Sequence, residues 1–332
     1  MVNKKKLKIG VIGAGAWGTA LANILSQNQH IRLWAKEKSV CENIEKYREN
    51  KRFLPKIKLN KKINCTTEIN NVSECEILFL VTPVQYLSGV LNKLKYSLNE
   101  KTIFVCCSKG LEMNSLKLPS QIVSSVFPRN KIAIISGPNF AAEIAKGLPA
   151  ATTVASKHEE VSKKIANLIK SPTLRPYLSN DIIGSQISGA LKNIYAIASG
   201  IVVGKKYGEN AVASIISRSF AEITTVANSM NAKKSTLAGL SGMGDLFLTC
   251  SSKESRNFSL GIDLAKGKTL NEIIQKKFSI AEGVFTVRAL KKLADRKNLN
   301  LPINEAVYRV LYRKKNIDLA IQELLNRPIT KE

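Results

Sequence analysis

A short apolar strand that runs into a glycine-rich turn and then a helix constrains this chain more than any other feature. Leu7–Ile12 is followed by Gly13-Ala14-Gly15-Ala16-Trp17-Gly18 and then by the helix-forming Thr19-Ala20-Leu21-Ala22. The spacing is G-x-G-x-x-G. Gly13 permits the tight turn, Gly15 lets a pyrophosphate approach the backbone, and Gly18 lets the helix pack closely. The helix N-terminus adds unpaired N–H groups and partial positive charge. Alone the pattern is a weak sign, and a glycine turn without a ligand is its plain alternative. With a strand before it and a helix after it, the pattern predicts a dinucleotide-binding unit.

The end of the second strand selects the nucleotide. An acidic residue there holds the ribose 2′-hydroxyl. Here Leu33-Trp34-Ala35 leads to Lys36, with Glu37 next. Lys36 lies about 20 residues past the turn, where a cation suits a 2′-phosphate. NADPH is therefore favoured, NADH stays open through Glu37, and an ordinary solvated lysine is the competing reading.

The first half continues as short runs rich in Ile and Val: Ile31–Trp34, Ile77–Val81, Ile103–Cys107, Ile132–Ile135, Ala151–Ala155 and Leu174–Tyr177. Most do not alternate, as expected of strands covered on both faces. Helical patterns lie between them at Gly18–Gln27, Gln85–Lys95 and Ser120–Val126. From about Asp181 the pattern turns helical: Ile182–Val203, Asn210–Met230, Ser255–Lys266, Leu270–Lys276, Thr286–Lys297, Glu305–Arg313 and Ile317–Asn326. The expectation is an α/β domain over residues 1–180 and a helical domain over 181–332, packed closely with a cleft between them.

Charge and cysteines narrow the function classes. The net charge of +26 is spread along the chain, with no basic tail and no aromatic interleaving. It reads as solvated lysine faces that attract anionic ligands, not as a nucleic-acid surface. The six cysteines make no C-x-x-C pair, which argues for reduced cytoplasmic thiols and against a disulfide framework or a metal site. The basic Lys4–Lys6 run leads into the glycine turn, not a cleavage site. No stretch reaches the roughly 18 uninterrupted apolar residues of a membrane span. Gly189–Gly204 comes nearest, and Lys192 lies within it.

Ligands of open α/β sheets bind beyond the carboxyl ends of the strands. Small and polar residues collect there: Thr82-Pro83, Ser108-Lys109-Gly110, and Ser136-Gly137-Pro138-Asn139. Lys109, between a buried strand and a glycine, is held near the nucleotide, or is an exposed loop lysine. The second half supplies Gly239-Leu240-Ser241-Gly242-Met243-Gly244-Asp245, then Thr249, then Ser255-Arg256-Asn257. Arg256 offers a planar fork of donors suited to phosphate. Ser255 reads equally as a helix cap, and a helix start is itself an anion site.

Together these segments resemble the bacterial type of NAD(P)-dependent glycerol-3-phosphate dehydrogenase. GAGAWGTALA, FLP, SKG, SGPNFAAE, GALKNIYAIASGI, GENA, GLSGMGDLFLTC, SRN and AEG follow the family's order, and PINEAVYRVLY is similar to its closing helices. The resemblance covers nearly the whole chain. It implies a Rossmann-like doubly wound sheet followed by an all-α domain similar to the C-terminal domain of 6-phosphogluconate dehydrogenase. It implies reversible reduction of dihydroxyacetone phosphate to sn-glycerol 3-phosphate, a phospholipid precursor, and it suggests a homodimer. Lys192 matches the catalytic lysine. Lys109, Gly137, Asn139, Asn193, Asp245, Thr249, Ser255, Arg256 and Asn257 match substrate-site positions. Besides Gly13, Gly15 and Gly18, the nucleotide positions are Ala16, Trp17, Lys36, Lys109, Ala141, Arg256, Ile280 and Glu282. Asn139 departs from the usual Ser or Thr, and Lys36 from the common Arg.

The chemistry gives Lys192 a reason to sit in an apolar helix. Reduction of a ketone builds negative charge on oxygen, which an ammonium stabilises and protonates. Asp245 orients that ammonium, Lys109 adds positive charge, and Arg256 with Asn257 holds the phosphate. A lysine that merely snorkels to water is the alternative. Lys192→Ala is expected to abolish turnover and spare folding and nucleotide binding. Two other readings remain at this point: a dehydrogenase of hydroxy acids, with Arg256 on a carboxylate, and a nucleic-acid-binding module.

Overall fold

The computed structural model describes residues 7–276 and 281–329. The described residues divide into two compact units, one running to Lys109 and resuming over Lys117–Ser185, the other made of Gly110–Leu116 and the described residues from Gln186 onward.

The first unit is built on one eight-stranded sheet in the order β3-β2-β1-β4-β5-β6-β7-β8. The strands are β1 (Ile9–Ile12), β2 (Ile31–Trp34), β3 (Ile63–Thr66), β4 (Ile77–Leu80), β5 (Ile103–Cys106), β6 (Ile132–Ser136), β7 (Ala150–Ser156) and β8 (Leu174–Ser179). Strands β1 to β6 run parallel, while β7 pairs antiparallel with β6 and β8 follows β7. The order reverses at β1, which lies between β2 and β4, so the switch point falls at the turn carrying Gly13.

The sheet is wound on both sides. On one face, Ile9, Val11, Leu33, Ile77, Phe79 and Val105 pack with Leu21 and Leu25, Val40 and Ile44, and Val161 and Ile165. Those last pairs come from the helices Ala16–Leu25, Lys38–Tyr47 and Glu159–Ile169. On the other, Ile12, Leu78, Leu80, Phe104 and Cys106 pack with Leu87 and Leu91 and with Ile122 and Val123. Successive strand residues point to opposite faces and both faces are covered, which is why the apolar runs do not alternate.

The second unit is helical. Its longest helix, Ile182–Gly204, is long and apolar enough to cross a membrane, yet 89% of its most apolar window is buried in protein, so it is a core helix. The helix Arg256–Ala265 crosses it at backbone contact distance. A Cβ on Gly200 would lie 2.1 Å from the Phe258 carbonyl oxygen, and one on Gly261 would lie 2.1 Å from that of Ile197. Only glycine fits at this crossing. Gly261→Ala should force the helices apart, lowering stability by about 1–3 kcal/mol in urea unfolding and reducing turnover with it. Unchanged stability would mean that the crossing is looser than described.

Candidate active site

In the first unit, the glycine turn closes over the end of β4. Gly13 has φ +117°, and a Cβ there would meet the Thr82 amide nitrogen at 3.0 Å. A Cβ on Gly18 would lie 1.8 Å from the Gly13 carbonyl oxygen, so the helix starts hard against the turn. Gly15 differs, because among the described residues its Cβ would meet no atom within 4 Å beyond its own chain neighbours and the start of its helix. The open side of the turn is therefore at the residue where a pyrophosphate would approach. Gly15 also opens the Ala16–Leu25 helix, and no side chain caps that helix. The first N–H groups of such a helix are orphan donors that suit an anion. The turn fits a dinucleotide.

The flanks carry the remaining nucleotide positions. Trp17 is half-buried against the core beneath the turn. Lys36 stands exposed beyond β2, with its ammonium 5.7 Å from the ring centre of Tyr86. Tyr86, on the helix Val84–Leu94 after β4, is itself 63% exposed, so an aromatic face lies open beside that cation. Ala141 starts the short helix Ala141–Ala145 after β6. Lys109 reaches across from the end of β5 and donates to the Gly137 carbonyl at 3.2 Å. Asn139 turns its amide group inward, donating to the carbonyls of Pro138 at 3.0 Å and Ala151 at 2.9 Å. Its donors therefore hold the β6–β7 connection.

In the second unit, a second cluster gathers around Lys192. Its ammonium is ion-paired and hydrogen-bonded to Asp245 and donates to the Thr249 hydroxyl at 2.8 Å. The side chain is 10% exposed and that of Asp245 is 1% exposed, so the pair is held out of bulk water. Asp245 and Thr249 sit one turn apart on the helix Asp245–Ser251, and the Thr249 hydroxyl donates to the Asp245 carbonyl at 2.6 Å. The Ser199 hydroxyl ties this helix to the Lys192 helix by donating to the Cys250 carbonyl at 2.7 Å. Removing water raises the electrostatic weight of every charge in such a cluster.

Asn193, Asn257 and Glu282 are drawn together through Gly283. The Gly283 amide donates to Asn257 Oδ1 at 3.0 Å, and a Cβ on Gly283 would lie 2.7 Å from the Asn193 carbonyl oxygen. Ser255 accepts from the Phe258 amide at 3.3 Å and so caps the Arg256–Ala265 helix. Arg256 is the exposed first residue of that helix. Ile280 lies outside the described residues.

Sequence reasoning did not single out Tyr86, Gly200, Gly261 or Gly283. A glycine inside an otherwise helical apolar run, as at Gly200, is the signal for a close helix crossing.

Comparison with known proteins places these clusters in one lineage. The family model for the NAD-dependent glycerol-3-phosphate dehydrogenase N-terminus matches residues 8–162, and that for the C-terminus matches residues 181–322. The chain is 43% identical over 326 residues to glycerol-3-phosphate dehydrogenase (NAD(P)+) of Parvibaculum lavamentivorans, covering 98% of each chain. The same identity and coverage hold for the enzyme of that name from Caulobacter vibrioides. A crystal structure of glycerol-3-phosphate dehydrogenase from Coxiella burnetii superposes with a TM-score of 0.94 at 33% identity, over 97% of this chain and 99% of the other. With both halves matched in order and the length nearly fully covered, the chain belongs to the NAD-dependent glycerol-3-phosphate dehydrogenase family.

Proposed function

We propose that the chain reduces dihydroxyacetone phosphate reversibly to sn-glycerol 3-phosphate with NADH or NADPH, and that Lys192 is the acid that completes the reduction. The observation that carries this reading is the buried Lys192 ammonium held by Asp245 and Thr249. The nucleotide, when bound, supplies a hydride to the C2 carbonyl carbon.

The protein's part is positional and electrostatic. An ammonium fixed in a dry site stabilises the oxyanion as it forms, with no reorganisation at the moment of reaction. One N–H proton then passes from Nζ to that oxygen, leaving a neutral amine beside the Asp245 carboxylate. The neighbouring negative charge favours recapture of a proton from solvent and resets the site. Asp245 is thus a positioning residue as well as a counter-ion. Arg256, Asn257 and Ser255 bind the phosphate at the start of one helix, where backbone N–H groups reinforce the side chains. Lys109, Gly137 and Asn193 complete the substrate positions, and Asn139 holds the β6–β7 connection beside them. Gly13 through Gly18, Lys36, Ala141 and Glu282 hold the nucleotide, with Lys36 favouring a 2′-phosphate.

The product places the enzyme at the supply of glycerol backbones for phospholipids. Six free cysteines fit a reducing cytoplasm. The test is oxidation of NADPH and NADH by dihydroxyacetone phosphate, run beside several keto acids. Turnover should require the phosphorylated ketone, and NADPH should give the higher kcat/KM. Turnover only with a keto acid would reassign Arg256 to a carboxylate.

A further inference from the structure

We infer that Asn50 is a positioning residue for nucleotide binding, acting as a clamp that sets the orientation of the Ala14–Gly15 peptide. Asn50 lies outside the glycine turn in sequence and is fully buried. Its Nδ2 donates to the Ala14 carbonyl at 2.8 Å and to the Thr19 hydroxyl at 2.8 Å. Thr19 Oγ1 lies 3.4 Å from the same Ala14 carbonyl. Asn50 Oδ1 accepts from the Phe53 amide at 3.1 Å, and its carbonyl accepts from the Leu54 amide at 2.9 Å. One side chain thus joins the Asn50–Leu54 loop to the middle of the turn.

The consequence follows from peptide geometry. In a trans peptide the C=O and the next N–H point in opposite directions. Holding the Ala14 carbonyl inward against Asn50 therefore turns the Gly15 N–H outward. That is the residue whose surroundings are open and which starts the uncapped helix. A backbone anion site is strong when its donors are fixed in place before the anion arrives. With Asn50 removed, the long Thr19 contact is what the described residues leave to the Ala14 carbonyl, and the peptide can rotate.

This inference rests on reading the turn as the nucleotide site. The test titrates NADPH into the full-length protein while following fluorescence of its two tryptophans, one of which, Trp17, sits in the turn. Wild type is compared with Asn50→Ala, Asn50→Asp and Thr19→Val, together with the melting temperature of each and kcat and KM for dihydroxyacetone phosphate at saturating nucleotide. Asn50→Asp keeps the acceptor for Phe53 but has no donor for Ala14. Both Asn50 variants should weaken NADPH binding about tenfold, and Thr19→Val a few-fold. The saturated kcat and the KM for the ketone should stay within about twofold of wild type. Wild-type NADPH affinity in Asn50→Asp, with or without a lower melting temperature, would make Asn50 a purely structural residue and overturn the clamp. Failure of wild type itself to bind NADPH would overturn the nucleotide site and the clamp together.

Discussion

Lys192→Met is expected to lower kcat by about 10³-fold or more, because it removes both the proton donor and the cation facing the nascent oxyanion. The structure changes what the substitution does to stability. Asp245 is 1% exposed and its charge is matched by Lys192. Removing one partner of a buried ion pair leaves an uncompensated charge, at a cost of about 3–5 kcal/mol. The single variant should therefore be both inactive and much less stable, contrary to the expectation that folding would be spared. Lys192→Met combined with Asp245→Asn removes the orphan charge and should recover most of the lost stability with no recovery of turnover. Urea unfolding of the two variants, read beside their turnover, separates the roles. Comparable stability of single and double variants would show that the pair is not energetically coupled.

The second large effect concerns Glu222, on the helix Glu209–Asn228. Its carboxylate is buried and accepts from the Ile303 amide at 2.5 Å, the Asn304 amide at 3.2 Å and the Tyr195 hydroxyl at 3.1 Å. It thereby caps the helix Pro302–Tyr312, which has no side-chain cap of its own. Tyr195 lies one turn beyond Lys192, so this carboxylate also anchors the Lys192 helix. Burial outweighs the hydrogen bonds and the nearby Arg218 and pushes the Glu222 carboxyl from 4.5 up to about 7. In the interval between, the folded protein binds a proton that the unfolded chain has released. Stability therefore falls as pH rises through that window, by about 3 kcal/mol in all. Glu222→Gln removes this dependence and keeps one acceptor oxygen. Between about pH 5 and about pH 8 the stability difference between variant and wild type should shift by about 2 kcal/mol or slightly more in favour of Gln. A difference that does not change with pH would mean that Glu222 stays ionised throughout.

Much of the fold is readable from residue patterns because both sheet faces are covered. Continuous runs such as Ile-Leu-Phe-Leu in β4 have few other places to go. β3 escapes the same reasoning. Its Ile-Asn-Cys-Thr is an edge strand with one buried residue, and it lacks the apolar signal. The helix Lys38–Tyr47 buries only Val40 and Ile44 and reads as charged loop. The reversal of β7 leaves no trace in composition, since side-chain alternation is blind to strand direction. The helix Asp245–Ser251 is masked by the glycines before it, which form a single wide turn at Leu240–Gly244.

The site divides the same way. The glycine turn is local, so its roles follow from spacing. Lys192 and Asp245 are 53 residues apart, and no periodicity brings them together. Their pairing enters the sequence reading only through the resemblance of the surrounding segments. Asn139 shows the opposite limit: its chemistry permits a donor toward substrate, but packing commits that donor to Ala151. Asn50 was invisible for want of any local pattern linking it to a turn more than thirty residues earlier.

The most direct test of the account is a single-turnover experiment on protein preloaded with NADPH. Wild type and the Lys192→Met/Asp245→Asn variant are mixed with dihydroxyacetone phosphate, and the decay of reduced-nicotinamide absorbance is followed through the first turnover. A rapid decay in wild type and its slowing by about 10³-fold in the variant, with NADPH affinity unchanged, is the predicted result. A first-turnover decay at the wild-type rate in the variant would contradict the assignment of Lys192.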